Sequence, residues 1–254
     1  MPTTETDHRA QKAAALLLAA RRSGRGIAAF PEDCRPRDPA EAYAIQRAVA
    51  LHLGAIAAWK TGAPSPTAAC SFAPIFTVVP GPARFPAASQ HLFGIEAEIA
   101  FRFARDLPPR AEPYRREEVI DAIVSAHPAI ELVDTRFADW PSIDGQSKLA
   151  DNQSNAALIF GAAIPNWRSL DLVRPPITIT ADGTRLGGTK GNSGGDPLRL
   201  VTELANYCAA AHGGLRAGTM VTSGSITGID FAKPGAIVVA DFGPLGEVRV
   251  EFPL

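Results

Sequence analysis

Phe93-Gly94-Ile95-Glu96-Ala97-Glu98-Ile99-Ala100-Phe101-Arg102-Phe103 is the stretch on which the fold turns. Its apolar residues recur at every second position, the period of a β-strand. Phe93, Ile95, Ala97, Ile99, Phe101 and Phe103 share one face, and Glu96 and Glu98 share the other. Same-face neighbours on a strand stand roughly 7 Å apart along the chain. Two carboxylates at that spacing in so apolar a strand repel each other unless a proton or a cation sits between them. A hard divalent metal is the obvious cation. The stretch therefore predicts a strand-built body and points to an enzyme. A solvated strand face is the bland alternative.

The rest of the chain suits a globular protein with a substantial core: 254 residues, 46% hydrophobic, 20% charged, net charge −1. So balanced a charge makes no electrostatic case for nucleic acid or an anionic membrane surface. No apolar run reaches the ~18 residues of a membrane span. Residues 1–12 are polar and lack the basic-then-apolar order of a secretory signal. Cys34, Cys70 and Cys208 are far apart, show no zinc spacing and suit a reducing cytoplasm. The 22 Gly and 22 Pro residues imply many turns and a strand-rich body.

Two helices are expected first, over 10–22 and 42–52. Asp38 supplies an N-cap for the second, Pro39 a first-turn residue and Gly54 a stop. From residue 56 short apolar segments alternate with Gly/Pro turns. Strands are expected at 56–60, 92–103, 129–135, 156–164, 177–181, 220–222, 236–240 and 247–252, with helices at 114–125 and 197–211. Asp182-Gly183 marks a hairpin turn. The expected organisation is a helical N-terminal part, 1–55, docked on a mixed-β body, 56–254: an α+β fold.

Glu96 and Glu98 need a further ligand. Glu131 lies between Ile130 and Leu132 in a strand-like segment, where a charge is costly unless it is paired or metal-bound. Three carboxylates make an oxygen site, which selects Mg²⁺, Mn²⁺ or Ca²⁺ over zinc. Lys60 ends an apolar segment; a lysine drawn into an apolar cleft near a cation has its pKa lowered and can serve as a general acid or base. Two loops look built for ligand contact. The polar run 150–155 includes Asp151 and Ser154, and the hydroxyl-rich loop 221–228 includes Ser223, Gly224 and Ser225. The five histidines form no HxxxH or HExxH pair, no GxSxG elbow supports a serine nucleophile, and the Gly-rich 189–196 lacks the order of a phosphate loop.

In this order the motifs resemble those of the 2-keto-4-pentenoate hydratase / 4-oxalocrotonate decarboxylase family of the fumarylacetoacetate hydrolase superfamily. Gly94 to Phe101 resembles its E-x-E strand and Trp59-Lys60-Thr61-Gly62 its K-x-G segment. Ala129 to Val133 resembles its third-acid strand, and Ala150-Asp151-Asn152 its A-D-N segment. The stretch from Asp196-Pro197 to Asn206 resembles its penultimate helix, and Ser223-Gly224-Ser225-Ile226-Thr227 its S-G-S-x-T loop.

The resemblance implies a mixed β-sandwich roll, fumarylacetoacetate hydrolase C-terminal-like, with a small helical N-terminal part. It implies Mg²⁺ or Mn²⁺ on Glu96, Glu98 and Glu131, with Lys60 as acid/base. It implies a 2-oxo or 2-hydroxydienoate acid as substrate, met by Gly62, Asp151, Ser154, Ser223, Gly224 and Ser225. It also implies a homo-oligomer that can associate with a neighbouring pathway enzyme. Ala63-Pro64-Ser65, the absence of an acid in 71–76, and Gln153 and Asn155 depart from the family's usual residues. The activity expected is hydration of a 2-hydroxy-2,4-dienoate. The alternatives are decarboxylation of 2-oxo-3-hexenedioate and a non-catalytic 2-oxo-acid-binding scaffold.

Overall fold

The computed structural model describes residues 4–254. Helices α1 (Thr4–Ser23) and α2 (Pro39–Leu53) come first. Asp38 accepts a hydrogen bond from the Glu41 amide, Pro39 occupies a first-turn site where its missing N–H costs nothing, and Gly54 ends α2 at φ 92°. The apolar faces of the two helices meet through Ala13, Ala14, Leu17, Ile45 and Val49. Phe137, Ile143 and Ala150 of the body join this cluster, so the helical part is docked through a shared core.

The body contains β1 (Ala58–Gly62), β2 (Ser71–Ile75), β3 (Val78–Pro80), β4 (Ala83–Arg84), β5 (Gly94–Phe103), α3 (Arg116–Ala122) and β6 (Ile123–Val133). It continues with α4 (Gly145–Ala150), β7 (Asn155–Phe160), β8 (Thr178–Ala181), β9 (Thr184–Gly188) and α5 (Pro197–Ala211). It ends with β10 (Met220–Thr222), β11 (Asp230–Phe231), β12 (Ile237–Asp241) and β13 (Glu247–Glu251). One mixed sheet has the order β2-β1-β10-β5-β6-β7-β3, with β11 also on β5; the other is β4-β13-β12-β8-β9. Ile95, Ala97, Ile99, Phe101 and Phe103 of β5 join one core with Val238 and Val250 of the second sheet and Val201 and Leu204 of α5. The apolar face of β5 is thus committed to the core, as its alternation requires, and the glutamates point the other way.

Pairing moved several expected boundaries. The helix expected over 114–125 ends at Ala122, because Ile123 and Ser125 pair with Phe103 and Arg102 of β5 and β6 starts there. β-branched Ile123 and Val124 suit that extended run. The strand expected over 129–135 is therefore the second half of a longer one, and it stops at Val133, after which Asp134 accepts the His91 and Leu92 amides. The strand expected over 56–60 shifts to 58–62 through its ladders with β2 and β10, which sets Lys60 in mid-strand. The strand expected over 156–164 ends at Phe160, where its ladder with β6 ends. The 182–183 hairpin joins β8 to β9 with φ 49° and 79°, the left-handed pair of a type I′ turn. Among the described residues no helix is long and apolar enough to cross a membrane.

Candidate active site

Glu96 and Glu131 are direct partners in the β5–β6 ladder. Opposed residues of an antiparallel pair share a face, so Glu96, Glu98 and Glu131 all project away from the core. One oxygen of each lies within 4.8 Å of the others. Glu131 and Glu98 are buried, and Glu96 keeps some exposed surface. The register Lys60 to Thr222 to Ala100 carries Lys60 onto the same face. Its Nζ donates to Glu131 Oε1 and, over 3.3 Å, to the Gln153 carbonyl. Asn155 Nδ2 donates to the same Glu131 oxygen at 3.0 Å, while Glu131 Oε2 is buried with no partner.

The loop after β10 completes the constellation. Beyond Thr222 the chain leaves the ladder but stays alongside β5. Ser223 Oγ donates to the Ile99 carbonyl at 3.0 Å, Ile226 N to Ala97 O at 3.0 Å, and Ala97 N to Thr227 Oγ1 at 3.1 Å. β11 then resumes pairing at Ile95 and Gly94. Between these anchors Gly224 bulges at φ 89° and gives its N–H to Glu98 Oε2 at 3.1 Å; Thr222 Oγ1 donates to the same oxygen. The buried Ser225 hydroxyl makes no hydrogen bond of good geometry, yet lies close enough to Glu96 to favour its charged form. Asn192 Nδ2 holds the loop from outside, through the Ser223 carbonyl at 2.7 Å.

A second support is the turn between α4 and β7. Asn152, Gln153 and Ser154 have φ of 51°, 51° and 58°. Three consecutive non-glycine residues in the left-handed region cost on the order of 1–3 kcal/mol each. Their surroundings hold them there. Asp151 receives the Arg136 side chain and backbone amide, and Arg136 also donates to the carbonyls of Asp151 and Asn155 at 2.8 and 3.0 Å. The turn delivers the Gln153 carbonyl to Lys60 and the Asn155 amide to Glu131.

Of the expected site residues, Lys60, Glu96, Glu98, Glu131, Gly224 and Ser225 converge. Gly62 lies against Gly224, whose Cα is 4.0 Å from where a Gly62 Cβ would sit. The side chains of Asp151, Ser154 and Ser223 are engaged elsewhere. Asp151 is taken up by Arg136, Ser154 Oγ accepts the Trp140 indole N–H at 2.8 Å, and Ser223 Oγ is spent on Ile99. These three shape the site through the backbone they fix. Nothing in the sequence singles out Arg136 or Asn192, because their roles depend on long-range pairing.

Burial first, and then the neighbouring Glu131 charge, lifts the Glu98 carboxyl well above its usual range; Glu96 is pushed up to about 7, chiefly by burial. The lowered Lys60 pKa expected from a cleft lysine is not what the protein groups produce. Burial does disfavour the ammonium, but Glu131, Glu96 and Glu98 outweigh it and the net shift is upward. Once all three are ionised, the carboxylates facing one ammonium carry two surplus negative charges, which one divalent cation would neutralise. An unpartnered buried oxygen, costing about 1–3 kcal/mol, and an all-oxygen donor set both fit such an ion. A groove of about 1010 Å³ lies elsewhere, lined by Arg47, Leu51, Trp59, His212 and Arg216. It contains none of the carboxylates, and chemistry rather than volume marks the site.

Fold and site together define a class: three clustered carboxylates able to hold a hard cation beside a buried lysine, on the face of a mixed sheet turned away from its packing against a second sheet. The chain belongs to the fumarylacetoacetate (FAA) hydrolase C-terminal family, whose model matches residues 41–252. It is 32% identical to a 2-keto-4-pentenoate hydratase of Paraburkholderia phymatum over 260 residues, 97% of this chain and 98% of the relative. A 2-keto-4-pentenoate hydratase of Burkholderia vietnamiensis is also 32% identical, over 94% of this chain and 95% of its own. The fold is shared with a 4-oxalocrotonate decarboxylase from Pseudomonas putida G7, solved with magnesium and adipate. That match has a TM-score of 0.84 at 23% identity over 96% of this chain and 97% of that one. The resemblance drawn from six ordered motifs is borne out.

Proposed function

We infer that this chain is a lyase, a divalent-metal-dependent hydratase that adds water to a 2-hydroxy-2,4-dienoate and yields a 4-hydroxy-2-oxo acid in aromatic meta-cleavage catabolism. The observation that carries this reading is the convergence of Glu96, Glu98 and Glu131 with Lys60 hydrogen-bonded to one of them. The names of relatives aligned along nearly their whole length support the substrate class. Glu96, Glu98 and Glu131 would hold Mg²⁺ or Mn²⁺, the ions suited to hard oxygen donors that leave room for substrate. Bound there, the cation supplies Lewis-acid stabilisation of negative charge developing on the substrate's 2-oxygen. Thr222 and the Gly224 amide orient Glu98, and Asn155 orients Glu131. Lys60 is the acid/base that moves a proton on the carbon chain to give the conjugated 2-oxo tautomer, at whose C4 water then adds. Gly62, Gly224 and Ser225 border the substrate, while Asp151, Ser154 and Ser223 serve it indirectly. A cytoplasmic homo-oligomer, able to associate with a neighbouring pathway enzyme, completes this reading.

An ultraviolet assay of 2-hydroxypenta-2,4-dienoate beside 2-oxo-3-hexenedioate, with Mg²⁺ or Mn²⁺ and with chelator, tests it. Metal-dependent conversion of the dienoate to the 4-hydroxy-2-oxo acid is expected. Preferred loss of CO₂ from the diacid would make the chain a decarboxylase instead. Metal retention with neither reaction would leave a binding scaffold.

A further inference from the structure

The hydration step needs something to hold the water, and one side chain next to Lys60 has an unassigned hydrogen-bonding group. Gln153 reaches from the left-handed turn to β2, where its Nε2 donates to Ser71 Oγ. Ser71 pairs with Gly62 and Ala73 with Lys60 across the β1–β2 ladder. Paired residues share a face, so Ser71 lies on the acid/base side of the sheet, one step along from Lys60. The Ser71 hydroxyl donates to the Gly62 carbonyl at 3.4 Å, which leaves Oγ as the acceptor for Gln153 and fixes which end of the amide is spent. The other end, Oε1, is buried and has no partner within the protein. Leaving a buried acceptor unpaired is costly, so it calls for a donor from outside the chain. Lys60 has three N–H donors and uses two of them here.

We propose that Gln153, clamped by Ser71, is the residue that positions the water added to the substrate. This rests on the hydratase reading above. A 2-hydroxydienoate carries its only hydroxyl at C2, beside the carboxylate. The donors available to an acceptor farther along the chain are therefore the incoming water and the 4-hydroxyl it becomes. Gln153 Oε1 accepts one water O–H and takes no proton. The water oxygen bonds to C4 and the C3–C4 π pair moves toward the 2-oxygen; Lys60, left as the amine after giving C5 its proton in the tautomerisation, takes the proton the water releases and passes it to C3. The sum is H₂O across C3=C4 with no redox change.

The test separates the two halves of the reaction. Gln153→Gly removes the side chain and eases the backbone, because glycine accepts positive φ without strain. It leaves the carbonyl that meets Lys60 in place. Deuterium uptake at C5 in D₂O follows tautomerisation, and appearance of the 4-hydroxy-2-oxo acid follows hydration. The ratio of hydration to C5 protonation is expected to fall about 100-fold, the scale of a reactant displaced by about an ångström. Gln153→Glu, which keeps an acceptor oxygen, should restore most of the ratio, and Ser71→Ala should lower it less than Gln153→Gly. Mn²⁺ affinity, read by electron paramagnetic resonance, should match wild type in all three. An unchanged ratio in Gln153→Gly, or an equal fall of both steps together with lost Mn²⁺ binding, overturns the role of Gln153 alone. A wild-type protein that tautomerises dienoates but never hydrates them overturns the parent reading and this role with it.

Discussion

Two buried ion pairs lie close together in this molecule and are built on opposite principles. Arg136–Asp151 is well partnered: the carboxylate accepts from the Arg136 side chain, its backbone amide and Thr135, and the guanidinium also donates to two carbonyls. Lys60–Glu131 is left incomplete: one Glu131 oxygen has no partner, and two further glutamates crowd the pair. A charge pair that only holds structure is closed by its own neighbours. The open pair keeps a buried oxygen free to take a further ligand.

The largest effect is expected at the glutamates. Glu96→Gln with Glu98→Gln should abolish metal-dependent turnover and the rise in melting temperature on adding Mn²⁺; activity surviving chelator treatment in this double variant would rule the cation site out. Lys60→Ala should lower turnover by about 10²–10⁴-fold while a 2-oxo acid such as pyruvate or oxalate still binds, as calorimetry can read. Normal turnover there would move the acid/base role elsewhere. At the closed pair the expected loss is of folding rather than of chemistry. Arg136→Leu strands Asp151 and should cost roughly 3–5 kcal/mol in urea denaturation.

Acidity sharpens the contrast further. Glu96 in the metal-free protein is raised from 4.5 to about 7. A raised carboxyl stabilises the fold fully below 4.5 and loses that contribution as pH climbs through 7. The metal-free melting temperature should therefore fall over that window, and the increment from Mn²⁺ should grow over it. A flat increment would count against competition between proton and cation. The smallest effect lies at the groove. Burial, helped by Arg47, lowers His212 from 6.5 to about 4. Its stabilising contribution is present above 6.5 and lost as pH falls toward 4. His212→Phe should flatten that acid limb of the stability curve.

Much of this was legible in the chain itself. The two faces of β5 follow from strict alternation, and α5 matches its expected bounds because Asp196-Pro197 opens it and Gly213-Gly214 follow its end. Lys60 and the three glutamates stood out as polar residues in apolar runs. What could not be read was register. That Glu131 faces Glu96 depends on the β5–β6 ladder, and that Thr222 reaches Glu98 depends on β10 lying between β1 and β5. Strands of two or three residues, such as β3, β4 and β11, are too short to show a period. The left-handed run at 152–154 has no glycine to announce it, since its neighbours rather than its own preferences impose it.

The insertion of β10 between β1 and β5 sets an order of events in time. Thr222 and Gly224 grip Glu98 across 124 and 126 residues of chain, and Lys60 meets Glu131 across 71. During synthesis the central strands would emerge with a gap in the sheet that only the last fifth of the chain can fill. Contacts so distant in sequence form slowly. The exposed sheet edges would invite wrong pairing until β10 arrives, so this protein is expected to gain its ion affinity in one late, cooperative step.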